Sequence, residues 1–303
     1  MQVCRDLVIH QSFSWCLTTG VNQWRFCAKV SGMGLRHIIA NGQPRSTILL
    51  LHGYAEHSGR YSHVIERFAA AGFDVFSYDQ QGHGKSEGKR ARVDVADLIA
   101  DHRVARMMVG ERKRTENLML FGHSMGGLVT AASALIDPSG VDAVVLSGPA
   151  FRQFPETAHV VSRMGYRLAR LLPGVPTVKL DAGLVSRDPL AVRKYERDPL
   201  NYHGRVPLLT GASMAVQGRR VLDHARLWDN KLPLLVMHGE DDGLANVDGS
   251  REFVASARLA GAPARLVTIP GAYHELLQEL ERDDLQDQMV EWMIDQLAES
   301  GPA

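Results

Sequence analysis

The chain has 303 residues, 45% of them hydrophobic and 22% charged, which suits a globular protein with a sizeable core, built as one large domain with an insertion or as two domains. Lys+Arg and Asp+Glu both number 34, so the formal net charge is zero, no global field draws nucleic acid, and any electrostatic recognition is local. No apolar run reaches the length of a membrane span, and the three cysteines, Cys4, Cys16 and Cys27, are an odd set confined to the first tenth of the chain, which argues against a disulfide framework.

The N-terminus has Arg5, Asp6 and His10 among its apolar residues, so no signal-peptide core forms, and the expectation is a cytoplasmic protein. Residues 1–43 carry the weakest pattern. Ser12 to Leu17 and Trp24 to Val30 suit two strands joined near Thr19-Gly20, with Trp15, Trp24 and Phe26 favouring β structure. From Thr47 the pattern turns regular. Ile48-Leu49-Leu50-Leu51 is a short continuous apolar run, as in a central parallel strand buried on both faces, and it stops at His52-Gly53-Tyr54. Tyr61 to Ala71 has helical spacing through Val64, Ile65 and Phe68, ends at Gly72, and leads into a strand from Phe73 to Tyr78. Asp94 suits the cap of a helix running to Val109.

The apolar run Leu118 to Phe121 then ends in Gly122-His123-Ser124-Met125-Gly126 and passes at once into Leu128 to Ile136, a pattern of strand, sharp turn and buried helix. A strand from Val141 to Leu146 ends at Ser147-Gly148-Pro149. Residues 151–230 break this rhythm, because Pro155, Pro173, Pro176, Pro189, Pro199 and Pro207 divide several helical pieces. The rhythm resumes with a strand from Leu232 to Met237, a helix from Gly249 to Ala260, a strand from Arg265 to Ile269 and a helix from Leu285 to Leu297. Strands alternating with helices, with Gly at strand ends, predict an α/β fold on a doubly wound, mostly parallel sheet. The organisation expected is an N-terminal segment over 1–43, a core made of 44–150 and 231–303, and an insertion over 151–230.

Gly-x-Ser-x-Gly occurs twice, and context separates the copies. Around Ser124 an apolar strand precedes and an apolar helix follows, as a nucleophile elbow requires; Ser86, in Gly84-Lys85-Ser86-Glu87-Gly88, has neither. A serine hydroxyl is a weak nucleophile at neutral pH, so Ser124 needs a base, and the base needs an orienting carboxylate. Two late strand ends supply them. One runs into His238-Gly239-Glu240-Asp241-Asp242 and the other into Pro270-Gly271-Ala272-Tyr273-His274-Glu275. The order Ser, Asp, His makes His274 the candidate base and leaves Asp241 and Asp242 as candidates for the acid. His238 precedes a turn glycine and reads as structural, and His52 reads as a brace for the loop after the first strand. The backbone N–H groups of Tyr54 and Met125 are the candidate oxyanion donors, worth roughly 3 kcal/mol each in the transition state. The Tyr54 side chain suits either a pocket wall or the surface.

Two other motifs lack their context. Gly82-His83-Gly84-Lys85-Ser86 would need glycine where Asp79 stands to be a phosphate loop, and His52, His57 and His63 lack the spacing of a zinc helix. Neither a metal nor a cofactor is expected.

With these residues placed, the chain resembles the monoacylglycerol lipase and lysophospholipase-like branch of the α/β-hydrolases. The matching pieces are His52 to Tyr61 (HGYAEHSGRY), Asp79 to Gly88 (DQQGHGKSEG), Gly122 to Gly127 (GHSMGG), Ser186 to Pro189, Asp198 to Leu200, His238 to Asp242 and Pro270 to Glu275. The match runs from about residue 44 to the end. The GHSMGG box is common among hydrolases; the EHSGRY segment is far more specific. The resemblance implies that the acid is Asp242, three residues after the turn glycine, and that the insertion is a cap over an acyl pocket. It also implies hydrolysis of monoacylglycerols or similar medium-chain acyl esters through an acyl-enzyme. Lysophospholipase, small-ester carboxylesterase, a peptidase of the same fold and a non-catalytic ligand binder are the rivals. Gly243 and Asn246 depart from the family, which often has a larger residue and Asp or Pro there, and residues 1–43 do not match its opening strands.

Within the insertion, Val160, Val161, Met164, Leu168, Leu171 and Leu172 share one face of a helix beside a stripe of Arg163, Arg167 and Arg170. Residues 151–230 carry 13 Lys+Arg against 7 Asp+Glu. Two readings follow: a half-buried cap helix with its arginines in water, or a peripheral membrane contact through outward apolar residues and arginines that meet anionic headgroups.

Overall fold

The apolar runs become the strands of one sheet. The structure, a computed structural model, describes residues 34–153 and 165–299. In chain order the strands are β1 (Arg36–Ile38), β2 (Ser46–Leu51), β3 (Phe73–Ser77), β4 (Leu118–His123), β5 (Ala143–Ser147), β6 (Pro176–Lys179), β7 (Arg205–Pro207), β8 (Leu234–Gly239) and β9 (Ala264–Ile269). Seven of them form a sheet in the order β1-β3-β2-β4-β5-β8-β9, while β6 and β7 pair separately with each other. All pairings in the large sheet are parallel except that of β1 with β3. The chain therefore has the α/β-hydrolase arrangement of a mostly parallel, doubly wound sheet.

Every residue of β2 is buried, and its side chains divide by the strand's period of two. Leu49 and Leu51 join Leu120, Leu146 and Val236 on one face; Ile48 and Leu50 join Phe121, Val145 and Met237 on the other. Helices cover both faces, which is why the strand reads as a continuous apolar run and not as an alternation. α1 (Ser62–Ala70) and α7 (Arg282–Glu299) cover one face through Val64, Phe68, Met289 and Trp292. The other is covered by α2 (Val95–Gly110), α3 (Met125–Ile136), α5 (Leu208–His224) and α6 (Val247–Leu259), through Leu98, Leu128, Val221 and Phe253. Each such side chain stabilises the fold by about 1.5–3 kcal/mol. α4 (Pro189–Arg197) lies between β6 and β7 with Pro189 in its first turn and Asp188 as its cap.

Several boundaries differ from the sequence reading for local reasons. Asp94 caps α2 by accepting from Ala96 N at 3.1 Å, as its position suggests. The sixth strand of the large sheet runs to Gly239 and not Met237, because Gly239 still pairs with Ile269. α3 starts at Met125, directly after Ser124, and α6 starts at Val247 because the Asn246 side chain accepts from Asp248 N. The three residues of β1 fall inside the stretch of weakest pattern; the two candidate strands at 12–17 and 24–30, and all three cysteines, lie outside the described residues. The chain just after β1 is tied to β3 by Asp74, a fully buried carboxylate that accepts from Ala40 N at 2.9 Å and from Arg114 at 2.8 and 2.7 Å.

The chain runs from β2 to β3 on one side and then to β4 on the other. The carboxyl ends of β2 and β4 thus flank the point where the winding reverses, and a crevice opens there. Among the described residues no helix is long and apolar enough to cross a membrane.

Candidate active site

Ser124 stands at that crevice, between β4 and α3, with φ +55° and ψ −121°. A residue with a Cβ adopts such a backbone only when the surroundings impose it. Two glycines make the turn possible. A Cβ on Gly126 would lie 2.2 Å from the His52 carbonyl oxygen, and one on Gly122 would lie 2.6 Å from the Gly126 carbonyl oxygen. Backbone bonds from Ser124 N to the Ser147 carbonyl (2.9 Å) and from Ala150 N to the Ser124 carbonyl (3.0 Å) fix the residue against the end of β5.

His274, in the loop after β9, places Nε2 2.7 Å from Ser124 Oγ and Nδ1 2.6 Å from Asp242 Oδ2. The carboxylate on the Nδ1 side assigns the proton there, which leaves Nε2 to accept from the serine hydroxyl. Asp242 is buried, whereas Asp241 is exposed. Asp242 Oδ1 accepts from Leu244 N (2.8 Å) and Ala245 N (2.9 Å). His238 completes the carboxylate's surroundings: its Nε2 is 3.1 Å from both Asp242 Oδ2 and the Ala245 carbonyl, two acceptors, so that nitrogen carries a proton. Its Nδ1 lies 2.7 Å from Ser250 Oγ.

These contacts set the charges. Burial alone would raise the Asp242 carboxyl, but the His274 charge and the hydrogen bonds from His238 and His274 hold it well below the carboxylate range. Burial alone would lower His274, but the charge and hydrogen bond of Asp242, followed by the charges of Glu275 and Glu56, raise it above the ordinary imidazole value. His123, with its ring 4.9 Å from that of His274, is pushed down to about 3 by burial and by His274, and stays neutral.

The loop after β2 carries one candidate oxyanion donor, Tyr54, and the start of α3 the other, Met125. A Cβ on Gly53 would lie 3.0 Å from Ser124 Cβ, so only glycine lets this loop come so close to Ser124. The Tyr54 N–H has no acceptor among the described residues, and Met125, as the first residue of α3, has no intrahelical acceptor for its own. His52 does brace the loop: its Nε2 accepts from Gln80 N at 2.9 Å, so its Nδ1 carries the proton and donates to the Gly53 carbonyl at 2.8 Å. The half-buried Tyr54 side chain lines the crevice, packs on His83 (5.5 Å between ring centroids) and leaves its hydroxyl without a partner among the described residues.

Ser86 has no such company; its hydroxyl donates to the Asp79 carbonyl. The loop that imitates a phosphate loop encloses an anion of its own. Asp79 accepts from Ser58 N (2.8 Å), Ser58 Oγ (2.7 Å) and Lys85 N (2.8 Å).

A cluster with no signature in the sequence lies beside His274, the candidate base. Arg60 Nη1 donates to Glu56 Oε2 (2.6 Å) and to Glu275 Oε1 (2.7 Å), and Nη2 donates to Glu275 Oε2 (2.6 Å). Glu56 and Arg60 are four positions apart on a loop and a short 3-10 turn, where that spacing carries no pairing signal, and the pairing with Glu275 spans 215 positions.

Ser124 and His274 open into a cleft of about 1310 Å³ with apolar walls, among them Val178, Val185, Val206, Met214 and Leu222. A hydrocarbon chain fits such walls, and the arrangement at the cleft's floor can perform acyl transfer through a serine ester.

Residues 42–281 match the family model described as serine aminopeptidase, S33. The chain is 38% identical over 255 residues, 84% of its length, to a monoacylglycerol lipase of Mycolicibacterium smegmatis, of which 90% is covered. It is 26% identical to a monoglyceride lipase of Rattus norvegicus, with 94% of this chain and 91% of the relative covered. The crystal structure of a monoacylglycerol lipase from Paleococcus ferrophilus superposes with a TM-score of 0.77 at 31% identity, covering 88% of this chain and 99% of that one.

Proposed function

The chain belongs to the serine aminopeptidase S33 family of α/β-hydrolases, serine hydrolases that work through an acyl-enzyme, and we propose that it hydrolyses monoacylglycerols or similar medium-chain acyl esters. Ser124, His274 and Asp242 are the proposed triad. His274 Nε2 takes the hydroxyl proton as Ser124 Oγ attacks the ester carbonyl, and the N–H groups of Tyr54 and Met125 receive the developing oxyanion. Collapse expels the alcohol, which takes the proton from His274. Water, deprotonated by the same imidazole, then attacks the acyl-serine and releases the fatty acid and the free hydroxyl.

The observation that carries this reading is an apolar cleft, about 1310 Å³, ending at the Ser124 hydroxyl with His274 at 2.7 Å. The relatives named as monoacylglycerol lipases support the substrate class. Rates across a series of p-nitrophenyl esters and monoacylglycerols test it. Medium-chain monoacylglycerols are expected to give the highest kcat/KM; a preference for lysophospholipid, or for acetate esters with no gain from chain length, would overturn it.

We further propose a peripheral membrane contact through residues 165–172. Leu168, Leu171 and Leu172 are 52%, 78% and 52% exposed, next to exposed Arg167 and Arg170. Of the remaining residues of that helical stripe, Val160, Val161, Arg163 and Met164 lie outside the described residues. Apolar side chains left in water beside arginines suit the interface of an anionic bilayer or micelle.

A further inference from the structure

We propose that Glu275, Arg60 and Glu56 form a clasp that positions the base against the oxyanion loop, with Glu275 acting on His274 as a positioning residue. This rests on the reading of Ser124, His274 and Asp242 as the catalytic centre.

The clasp joins three separate pieces of chain. Glu56 Oε1 accepts from Gly53 N at 2.6 Å and from Tyr61 Oη at 2.7 Å, so this carboxylate holds the loop that presents the Tyr54 N–H. Arg60 reaches from Glu56 to Glu275, the residue after the base, and binds it with two parallel hydrogen bonds, the geometry that fixes a carboxylate in both direction and distance. From the cap, Tyr195 covers the guanidinium, with Arg60 Cζ 4.8 Å from its ring centroid. The side chains of Glu56, Arg60 and Glu275 are 3%, 8% and 7% exposed, so the pairs are shielded from solvent and salt. A Gly53 N–H committed to Glu56 is also withdrawn from the oxyanion, leaving Tyr54 as the donor on this side.

Two carboxylates and one guanidinium leave one net negative charge beside the imidazole. The other groups that face His274 are Asp242 on its Nδ1 side, with His238 behind it, His123 from β4, held neutral, and Ser124. Of these only Asp242 is anionic, so the clasp is the second negative source, and both of its carboxylates favour the protonated imidazole. An imidazolium is what the transition state creates on His274. The clasp therefore contributes twice, by geometry at Gly53 and by charge at His274.

The experiment is the pH dependence of kcat/KM on a p-nitrophenyl ester for wild type, Glu275→Gln and Arg60→Lys, each checked for folding by circular dichroism and thermal unfolding. Glu275→Gln keeps the shape of the side chain and removes its charge. Its acid limb is expected at lower pH by about half a unit or more, with kcat reduced about tenfold and KM nearly unchanged, since the loss falls on the transition state. Arg60→Lys keeps the positive charge but not the two-pronged contact; it is expected to lower kcat through loosened geometry. Folded Glu275→Gln with the wild-type pH profile and kcat would overturn the clasp. An error in the triad reading shows itself differently, as wild-type protein whose Ser124 does not react with a fluorophosphonate.

Discussion

His238 Nε2 lies 3.1 Å from Asp242 Oδ2, the same carboxylate oxygen that accepts from His274 Nδ1 at 2.6 Å. One acidic oxygen thus serves two imidazoles, one on the reacting side and one in the protein interior, where His238 is fully buried. His238→Leu would remove a donor from that oxygen and leave the Ser250 hydroxyl and the Ala245 carbonyl without their partner. Such orphaned groups cost about 1–3 kcal/mol each. The expected result is a lower Tm and a kcat reduced about tenfold, with His238→Gln, which retains a donor, losing less in both. Thermal unfolding and initial rates measured on the same samples check this.

Ser124→Ala should abolish labelling by a fluorophosphonate and lower turnover by several orders of magnitude, because only binding and oxyanion contacts remain. Ser86→Ala should label like wild type. Gel-based activity labelling separates the two copies of the motif in one experiment.

Asp242→Asn is expected to reduce turnover on the order of 10⁴-fold, since an amide at that place favours the wrong imidazole tautomer. Asp241→Asn, at an exposed side chain, should change it little. A reversed ranking in steady-state rates would move the acid by one position.

His274 must be neutral to act as a base. Its pKa is raised by Asp242 in spite of burial, so kcat/KM should fall on the acid side at a pH above the ordinary imidazole value of about 6.5. Stability follows the opposite sign. A group with a raised folded pKa contributes stability that is complete below its unfolded pKa and is lost as pH rises through the folded one. Acidifying from about pH 8 to 6 should therefore lower activity while the His274 contribution to stability grows. Asp242, with a depressed pKa, contributes above about pH 4 and loses that contribution only in stronger acid. Parallel pH series of rate and Tm display both trends.

Co-sedimentation with vesicles tests the cap surface. Binding should require anionic lipid, weaken with salt, and fall when Arg163, Arg167 and Arg170 are changed together to Gln, at about 1 kcal/mol per arginine near the surface. Hydrolysis of a soluble short-chain ester should not change. Equal sedimentation of wild type and the triple variant would rule the contact out and leave the helix as a lid.

The parts legible in the sequence are those with local signatures. The run Ile48 to Leu51 announced a strand because both of its faces are buried, and Ser124 announced an elbow because strand, glycines and helix follow one another without a gap. His274 and Asp242 are far from Ser124 in sequence, but a parallel sheet gathers its strand ends at one edge, so their place after β9 and β8 sufficed to nominate them; family resemblance chose Asp242 over its neighbour. What stayed hidden has no local trace. Nothing near Glu275 indicates Arg60, nothing near Pro176 indicates a pairing with Pro207, and the three residues of β1 are too few to set a period. The stripe of leucines at 168, 171 and 172 was visible as a pattern, but periodicity cannot say whether a face turns to the core or to water.

The backbone of Ser124, at φ +55°, has a further meaning for the protein's history. A side-chain-bearing residue held in that region costs about 1–3 kcal/mol, a load that no part of the fold requires for its own sake. Glycine there would carry the bend without strain but would present no hydroxyl. Natural drift toward a sturdier protein and the upkeep of its chemistry thus pull this one position in opposite directions. Related chains that have shed catalysis are where a relaxed elbow should be sought.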